Sequence, residues 1–337
     1  MKKLTTLLLI LLITTTALLT LMACSPDIGG YESDGTLTDW MQYIDDSAPI
    51  THIALPGSHD SGTIGMMSLA ETQRSTIAEQ LMLGVRYFDI RVSDNGKGGV
   101  IFHGPIKGTP WQPIASDLAD FLHTHPTETL ILDFQHFNGD NAPTLVYNTL
   151  RDVGLLDNAV ANTNKSMSDA EYIDSLRMKD VRGKALIFFG NDLAQSHTNI
   201  FRRNNDNCTR EDASLDSLYV GELHKKGSEA FVSKALPHYM EHIYRRDTGI
   251  LVLQGQLTAP NLMVTPAKLE LEHNANMTEY VLALRNDSKA LARVNIIMRD
   301  FVEQDKAKVT SILSLNYYKG YIVSDCVSTF KALCDIK

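Results

Sequence analysis

Three kinds of side chain able to move a proton or hold an anion recur at one kind of place in this sequence. Imidazoles stand at His59, His103 and His136, and carboxylates at Asp60, Asp89, Asp133 and Asp300. A guanidinium stands at Arg91, and carboxamides at Gln135, Gln254 and Gln256. Imidazole titrates near neutrality, so of two such rings one can take a proton while the other gives one. A guanidinium donates two hydrogen bonds to an oxyanion and offsets negative charge that builds on it. Each group follows or closes a short apolar run. Ser58-His59-Asp60 comes after the run 50–55, Asp89 and Arg91 end 85–92, and His103 closes 99–102. Asp133, Gln135 and His136 close 128–134, Gln254 and Gln256 end 250–253, and Arg299-Asp300 ends 294–298.

Those runs read as strands, and helical patterns separate them. The segment 75–83 predicts a helix, closed by Gly84 at the position that favours a left-handed cap. Further helices are expected over 113–123, 142–154, 279–291 and 307–315, and another strand over 185–189. The strands are apolar throughout rather than alternating, as expected when both faces are covered. Such alternation predicts parallel βα units, in either an α/β barrel or a doubly wound sheet. No Gly-x-Gly-x-x-Gly opens a helix after the first strand and no phosphate-loop lysine motif is present, so the barrel is favoured. Polar groups at the C-terminal ends of barrel strands converge on one mouth. The histidines at 52, 123, 125, 197, 224, 238, 242 and 273 are read as hydrogen-bonded structural residues.

Composition bounds the rest. The 337 residues carry 31 basic and 40 acidic side chains, for a net charge of −9. No basic run suits a nucleic-acid partner. Lys2 and Lys3, an uncharged apolar run and Leu21-Met22-Ala23-Cys24 read as an export signal over 1–23. That tetrapeptide resembles the bacterial lipobox, which implies lipidation of Cys24, an exported and membrane-anchored lipoprotein of the cell envelope or surface, and a tether over 24–36. An uncleaved helical anchor is the alternative. One domain is then expected over 37–337. Of the remaining cysteines, Cys208, Cys326 and Cys334, the latter two are nearest in sequence, and a terminal disulfide is one option. Trp111 and Met66-Met67 fall on expected rim loops, where they either touch lipid or pack; packing is the favoured reading.

Four stretches carry a resemblance. Ala54-Leu55-Pro56-Gly57-Ser58-His59-Asp60-Ser61-Gly62-Thr63, Gln80-Leu81 through Gly84-Val85-Arg86-Tyr87-Phe88-Asp89-Ile90-Arg91, Phe102-His103-Gly104-Pro105 and Glu128-Thr129-Leu130-Ile131-Leu132-Asp133-Phe134-Gln135-His136-Phe137 occur in that order. Together they resemble the phosphatidylinositol-specific phospholipase C X domain. The last stretch, with Trp40-Met41 upstream, looks closer to the X-domain-only proteins than to the small secreted bacterial toxins. The resemblance implies an irregular TIM-type (β/α) barrel acting on a phospholipid at a membrane surface.

The resemblance also implies roles. His59 matches the base that takes the proton of the inositol 2-hydroxyl. His103 matches the acid that protonates the departing diacylglycerol oxygen. Arg91 matches the phosphate-binding cation, and Asp60 the carboxylate supporting His103. Asp300 is the expected partner of His59, and Asp89, Asp133 and Gln254 are expected around the substrate. Diacylglycerol and a cyclic inositol phosphate are the implied products. Because Asp60 rather than Asn follows His59, and Arg91 can replace an ion's charge, the site is expected to need no metal; calcium, if used, would draw on Asp89 and Asp133. Gly190-Asn191-Asp192 and Gln254-Gly255-Gln256 depart from the head-group pattern of the secreted enzymes, which leaves the lipid open. Two other readings compete. A metal-dependent glycerophosphodiesterase would show His-Arg-Gly and paired Glu ligands, neither of which is visible. A silent lipid-binding surface protein would have no use for an acid–base pair.

Overall fold

The computed structural model describes residues 35–337 except 165, 191, 204–213, 219–232, 234–235, 238–239, 242–248 and 259–262. The export signal, Cys24, most of the tether, Asn191, Cys208, His224, His238 and His242 therefore lie outside the described residues.

Among the described residues, eight parallel strands form the frame. In chain order they are β1 (Leu55–Ser58), β2 (Tyr87–Ser93), β5 (Thr129–Asn138), β6 (Lys184–Phe189), β7 (Phe201–Arg202), β8 (Leu215–Leu218), β9 (Ile250–Gln254) and β10 (Ile296–Arg299). Their spatial order is β7-β6-β5-β2-β1-β10-β9-β8. The two ends meet at a parallel bridge between Arg203 and Leu215, and the Ser214 N–H donates to Arg202 O at 3.1 Å. Sequence order is thus spatial order around a closed ring, the topology of a (β/α) barrel. The remaining strands, β3 (Val100–His103) and β4 (Ile106–Pro110), form an antiparallel hairpin on the edge of β2.

The solid apolar strands are solid because each faces two cores. Leu55, Tyr87, Ile131, Leu186, Phe188, Val252, Ile296 and Met298 pack inside the ring. Their neighbours Phe88, Ile90, Leu130, Leu132, Ala185 and Ile187 face outward, against α2 (Trp111–Thr124) and α3 (Ala142–Asp152). Leu251, Leu253 and Ile297 face outward against α6 (Pro266–Ala283) and α8 (Ala307–Tyr318). The shorter helices are α1 (Ile77–Met82), α4 (Asp169–Ser175), α5 (Met178–Val181), α7 (Ser288–Arg293) and α9 (Val327–Leu333). No helix among the described residues is long and apolar enough to cross a membrane.

Residues 37–53 plug the N-terminal end of the ring. Trp40 Nε1 donates to Gly84 O at 3.0 Å, and the Met41 N–H donates to Glu128 at 3.1 Å. Glu128 is paired with Arg86 at 2.8 Å, both side chains fully buried. With that end sealed, the opposite end is the mouth.

Several boundaries differ from expectation. Residues 50–52 form a turn of 3-10 helix, and β1 starts only at Leu55, so Pro56 and Gly57 lie within the strand they seemed to stop. A Cβ on Gly57 would sit 2.8 Å from Tyr87, so close packing inside the ring requires this glycine. The helix expected over 279–291 is two helices, α6 and α7, joined by a 3-10 turn. Helix α1 ends as expected, with Gly84 at φ +96°. It begins with a reciprocal Thr76–Glu79 capping box. Cys326 and Cys334 are unbridged thiols, so the terminal disulfide that the spacing left open is not formed. Trp111 is buried edge-on to Phe134, and Met66 is buried, so both pack.

Candidate active site

The mouth gathers residues from the ends of β1, β2, β3, β5 and β10. His59 and Asp60 leave β1, with Asp60 in the left-handed region at φ +44°. That conformation costs a non-glycine residue about 1–2 kcal/mol, so it persists only where contacts hold it. Here the Asp60 N–H donates to Asp89 Oδ2 at 3.3 Å, and the Ser61 N–H donates to Asp89 O at 2.8 Å. The Asp60 carboxylate then reaches three partners. Oδ1 meets Arg91 Nε at 2.5 Å. Oδ2 lies 3.3 Å from His59 Nε2 and 3.6 Å from His103 Nε2. The two rings thus turn the same nitrogen toward one carboxylate oxygen.

Each ring is fixed through its other nitrogen, and the two fixings differ. His59 Nδ1 lies 2.7 Å from Asp300 Oδ1. His103 Nδ1 lies 2.8 Å from Ala70 O. A carbonyl only accepts, so His103 carries its proton on Nδ1; its Nε2 is a donor only when the ring is charged. An ionised Asp300 likewise holds a proton on His59 Nδ1, which leaves Nε2 of the neutral ring as an acceptor aimed into the mouth. Backbone anchors seat His59 firmly. Gln73 Nε2 donates to His59 O and to Arg299 O, each at 3.0 Å, and Thr72 Oγ1 donates to His59 O at 3.1 Å.

Arg91 lies between the carboxylates. Its Nη2 is 3.3 Å from Asp89 Oδ2, donates to Gln135 Oε1 at 2.9 Å, and lies 3.5 Å from His59 Nε2. Gln135 reaches the mouth because β5 gains a residue against β2: the pairing runs Asp89 to Asp133, then Arg91 to His136. A bulge of this kind re-aims side chains.

Burial and charge set the protonation states. Burial works to discharge His59, but Asp60 first and Asp300 second outweigh it and push its pKa from 6.5 up to about 9. Burial works to protonate Asp60, but Arg91, His59, His103 and His136 together hold it below the usual carboxylate range. Asp300 is raised by burial, against the pull of His59. His59 is therefore charged at neutral pH, and its basic form grows as pH rises.

The structure brings His59, Asp60, Asp89, Arg91, His103 and Asp300 together at the mouth. It does not bring Asp133 there. That side chain has no exposed surface; it accepts from Tyr87 Oη at 2.7 Å and pairs with Arg203 Nε at 2.8 Å, inside the ring. Burial raises its pKa to about 6. Gln254 ends β9 nearly buried, with its Oε1 accepting from Gln256 Nε2 at 3.2 Å. Gln73, Thr72 and Ala70 were not singled out in the sequence. Their contacts are to backbone or through backbone, which leaves no signature in residue type or spacing.

Among the described residues, His59, Asp60 and Asp89 are the group whose ligand atoms lie near enough to share a cation. They do not suit one as arranged, because the Arg91 guanidinium already lies against both carboxylates.

Known proteins supply the remaining comparison. The chain is 24% identical over 286 residues to the 1-phosphatidylinositol phosphodiesterase of Listeria monocytogenes, covering 81% of this chain and 84% of that one. It is 30% identical over 150 residues to human PI-PLC X domain-containing protein 2, covering 34% of this chain and 49% of that one. The likeness is thus higher but shorter toward the X-domain-only protein. The phosphatidylinositol-specific phospholipase C structure from Listeria monocytogenes superposes with a TM-score of 0.65 at 20% identity, covering 83% of this chain and 98% of that one. A mutant of the Staphylococcus aureus enzyme gives 0.62 at 18% identity, over 85% and 98%. These superpositions bear on the fold, an α/β barrel. The family model for the X domain of phosphatidylinositol-specific phospholipase C matches residues 46–189, so the stretch that holds His59, Asp60, Asp89, Arg91 and His103 belongs to that family.

Proposed function

We propose that this protein is a phosphodiesterase that cleaves phosphatidylinositol, or a closely related glycerophospholipid, by acid–base catalysis between His59 and His103. One observation carries the reading. Both Nε2 atoms face Asp60 Oδ2, at 3.3 and 3.6 Å, while each Nδ1 is tied down elsewhere.

The steps follow from that geometry. A phosphodiester seated at the mouth places its anionic oxygens at the Arg91 fork. Neutral His59 takes the proton of the inositol 2-hydroxyl on Nε2, and the resulting imidazolium is stabilised by Asp300. The 2-oxygen attacks phosphorus and forms the cyclic phosphodiester. The bond to the glycerol oxygen breaks, and charged His103 delivers its Nε2 proton to that oxygen, releasing diacylglycerol. Asp60 balances the charge on both rings, and Arg91 offsets charge on the phosphoryl oxygens as it builds. Asp89 holds Arg91 and the Asp60 backbone. Gln135, which accepts from Arg91, and Gln254 at the end of β9 are the side chains assigned to the polyol head group.

The reading needs no resident metal. A calcium ion would draw on the Asp60 and Asp89 carboxylates, and Arg91 lies within 2.5 and 3.3 Å of them with its own positive charge. The same placement speaks against a metal-dependent glycerophosphodiesterase. A silent lipid-binding surface gives no reason to anchor two imidazoles through Nδ1 and turn both Nε2 atoms toward one carboxylate oxygen. The lipobox-like Leu21-Met22-Ala23-Cys24 supports an exported protein held to a membrane through Cys24.

The test is a panel of phospholipid vesicles, with and without chelator, read for diacylglycerol and phosphorylated head group. Cleavage of the inositol lipid that survives chelation supports the reading. No turnover of any lipid overturns the enzymatic reading, and chelator-sensitive turnover overturns the metal-free version.

A further inference from the structure

The carboxylate that orients His59 stands on an unusual piece of backbone. Asp300 comes directly after β10, and the next residue, Phe301, has φ +46°, in the left-handed region. A bulky residue does not rest there unaided. The Phe301 N–H donates to Thr72 O at 2.7 Å. The carbonyls of Asp300 and Phe301 then converge on one atom, Lys308 Nζ, at 2.7 and 2.9 Å.

Lys308 lies in the first turn of α8 and is fully buried. Its third contact is Glu270 Oε1 of α6, at 2.6 Å, and the Glu270 side chain is 1% exposed. An ammonium has three protons to donate, and here each has an acceptor in a different direction. Such a site defines where the two carbonyls must stand, and so fixes the backbone that directly follows the Asp300 Cα. Glu270 also receives Arg299 Nη2 at 3.3 Å, and that guanidinium donates to Asn274 Oδ1 at 3.0 Å. The strand end is therefore gripped from α6 through Arg299 and from α8 through Lys308.

A buried ion pair of this kind is poor value as a stability device, since desolvation consumes most of its attraction. Its use is better sought in what it specifies. Both carbonyls it holds lie on the C-terminal side of the Asp300 Cα, one of them in Asp300 itself, whose Oδ1 stands 2.7 Å from His59 Nδ1.

We infer that Lys308, neutralised by Glu270, is a positioning residue for the His59–Asp300 pair, pinning the strained Asp300-Phe301 backbone so that the carboxylate meets Nδ1. The inference rests on the acid–base reading of His59. It goes beyond that reading by assigning part of the base's orientation to two residues that never approach the mouth. The charged groups facing Lys308 are Glu270 on α6, Arg299 and Asp300 at the end of β10, and Glu303 shortly after it, with His273 beside them. Those facing His59 are Asp60, Asp300 and Arg91.

The experiment compares wild type with Lys308→Met/Glu270→Gln, which removes both charges together and leaves Arg299 an amide oxygen at position 270 and Asn274 Oδ1 as acceptors. Two readouts are taken: kcat/KM on phosphatidylinositol vesicles against pH, and the titration of the His59 ring by NMR, which needs no turnover. Both are repeated on an Asp300→Asn background. With Asp300 intact, the pair of substitutions lowers kcat/KM roughly 10- to 100-fold, the cost of a misplaced reacting group, and moves the His59 titration toward the ordinary imidazole range. On the Asp300→Asn background the same substitutions change little, because the contact they support is already lost. An equal loss on both backgrounds, or an unmoved His59 titration, overturns the inference. If the double variant does not fold, Lys308→Gln beside intact Glu270 is read in the same way. If wild type turns over no lipid, the proposed function fails, while the His59 titration still decides the positioning role.

Discussion

Replacing Asp300 by Asn isolates what the carboxylate does for His59. The substitution keeps shape and removes charge at a contact of 2.7 Å, where the Asp300 side chain is 3% exposed. Two effects follow, with opposite consequences at neutral pH. First, the His59 pKa, pushed to about 9 by Asp60 and Asp300 against burial, falls. An opposite charge at such range is worth about one to three pH units, so the rising limb of kcat/KM moves to lower pH by that amount. That alone would enlarge the neutral, basic fraction at pH 7. Second, the Asn amide donates to Nδ1. The ring then keeps its proton on Nε2, pointing at the hydroxyl it should accept from, and the base is blocked. In an acid–base dyad this inversion costs on the order of 10³–10⁴ in turnover. The tautomer effect is the larger, so Asp300→Asn is nearly inactive across the pH range while its residual activity rises earlier. Asp300→Ala offers Nδ1 no donor and retains more activity than Asn. Kinetics on phosphatidylinositol vesicles from acid to alkaline pH decide it. Equal activity of the Asn and Ala variants, or an unmoved rising limb, refutes the assignment of His59 as base with Asp300 as its partner.

Three further outcomes are expected. His103→Ala loses roughly 10²–10⁴ in rate on the lipid, the usual share of a general acid, but much less on an inositol nitrophenyl phosphodiester, whose leaving group needs no proton; His59→Ala is equally poor on both. His59 has its folded pKa raised from 6.5 to about 9, so it contributes stability fully present below 6.5 and lost as pH rises through about 9. Lys308 and Lys319 are lowered by burial to about 8 and about 7 and act in the opposite direction over part of that window. The difference in unfolding free energy between wild type and His59→Gln removes their contribution and should shrink from pH 6.5 to pH 9. Arg203→Met strands Asp133 inside the ring and costs about 3–5 kcal/mol of stability; adding Asp133→Asn recovers much of it, as denaturant unfolding would measure.

Much of this arrangement is legible in the sequence, and the exceptions share a cause. Strands β2, β5, β6, β9 and β10 stand out because burial on both faces makes them apolar without a break. The polar residues after them stand out for the same reason. Strand β1 was misread because Pro56 and Gly57 look like stops, whereas the ring needs a side-chain-free position against Tyr87. Helix α6 was placed too late because its buried side includes Glu270 and His273, which interrupt the apolar period. Those same polar residues belong to the network behind Asp300. Gln73 and Lys308 were invisible because the contacts by which they hold the site are to backbone carbonyls, and a carbonyl has no residue type to find. The sealing of Asp133 by Arg203 was equally hidden, since the two meet only when β5 and β7 flank β6.

The central claim is that two imidazoles divide one proton transfer across a phosphodiester without a metal. Phosphorus NMR of phosphatidylinositol vesicles incubated with the protein in chelator tests it most directly. The account predicts a signal of cyclic inositol phosphate growing in step with diacylglycerol, absent from His59→Ala and His103→Ala. Release of inositol phosphate with no cyclic species at any time, or turnover at the wild-type rate in either variant, would contradict it.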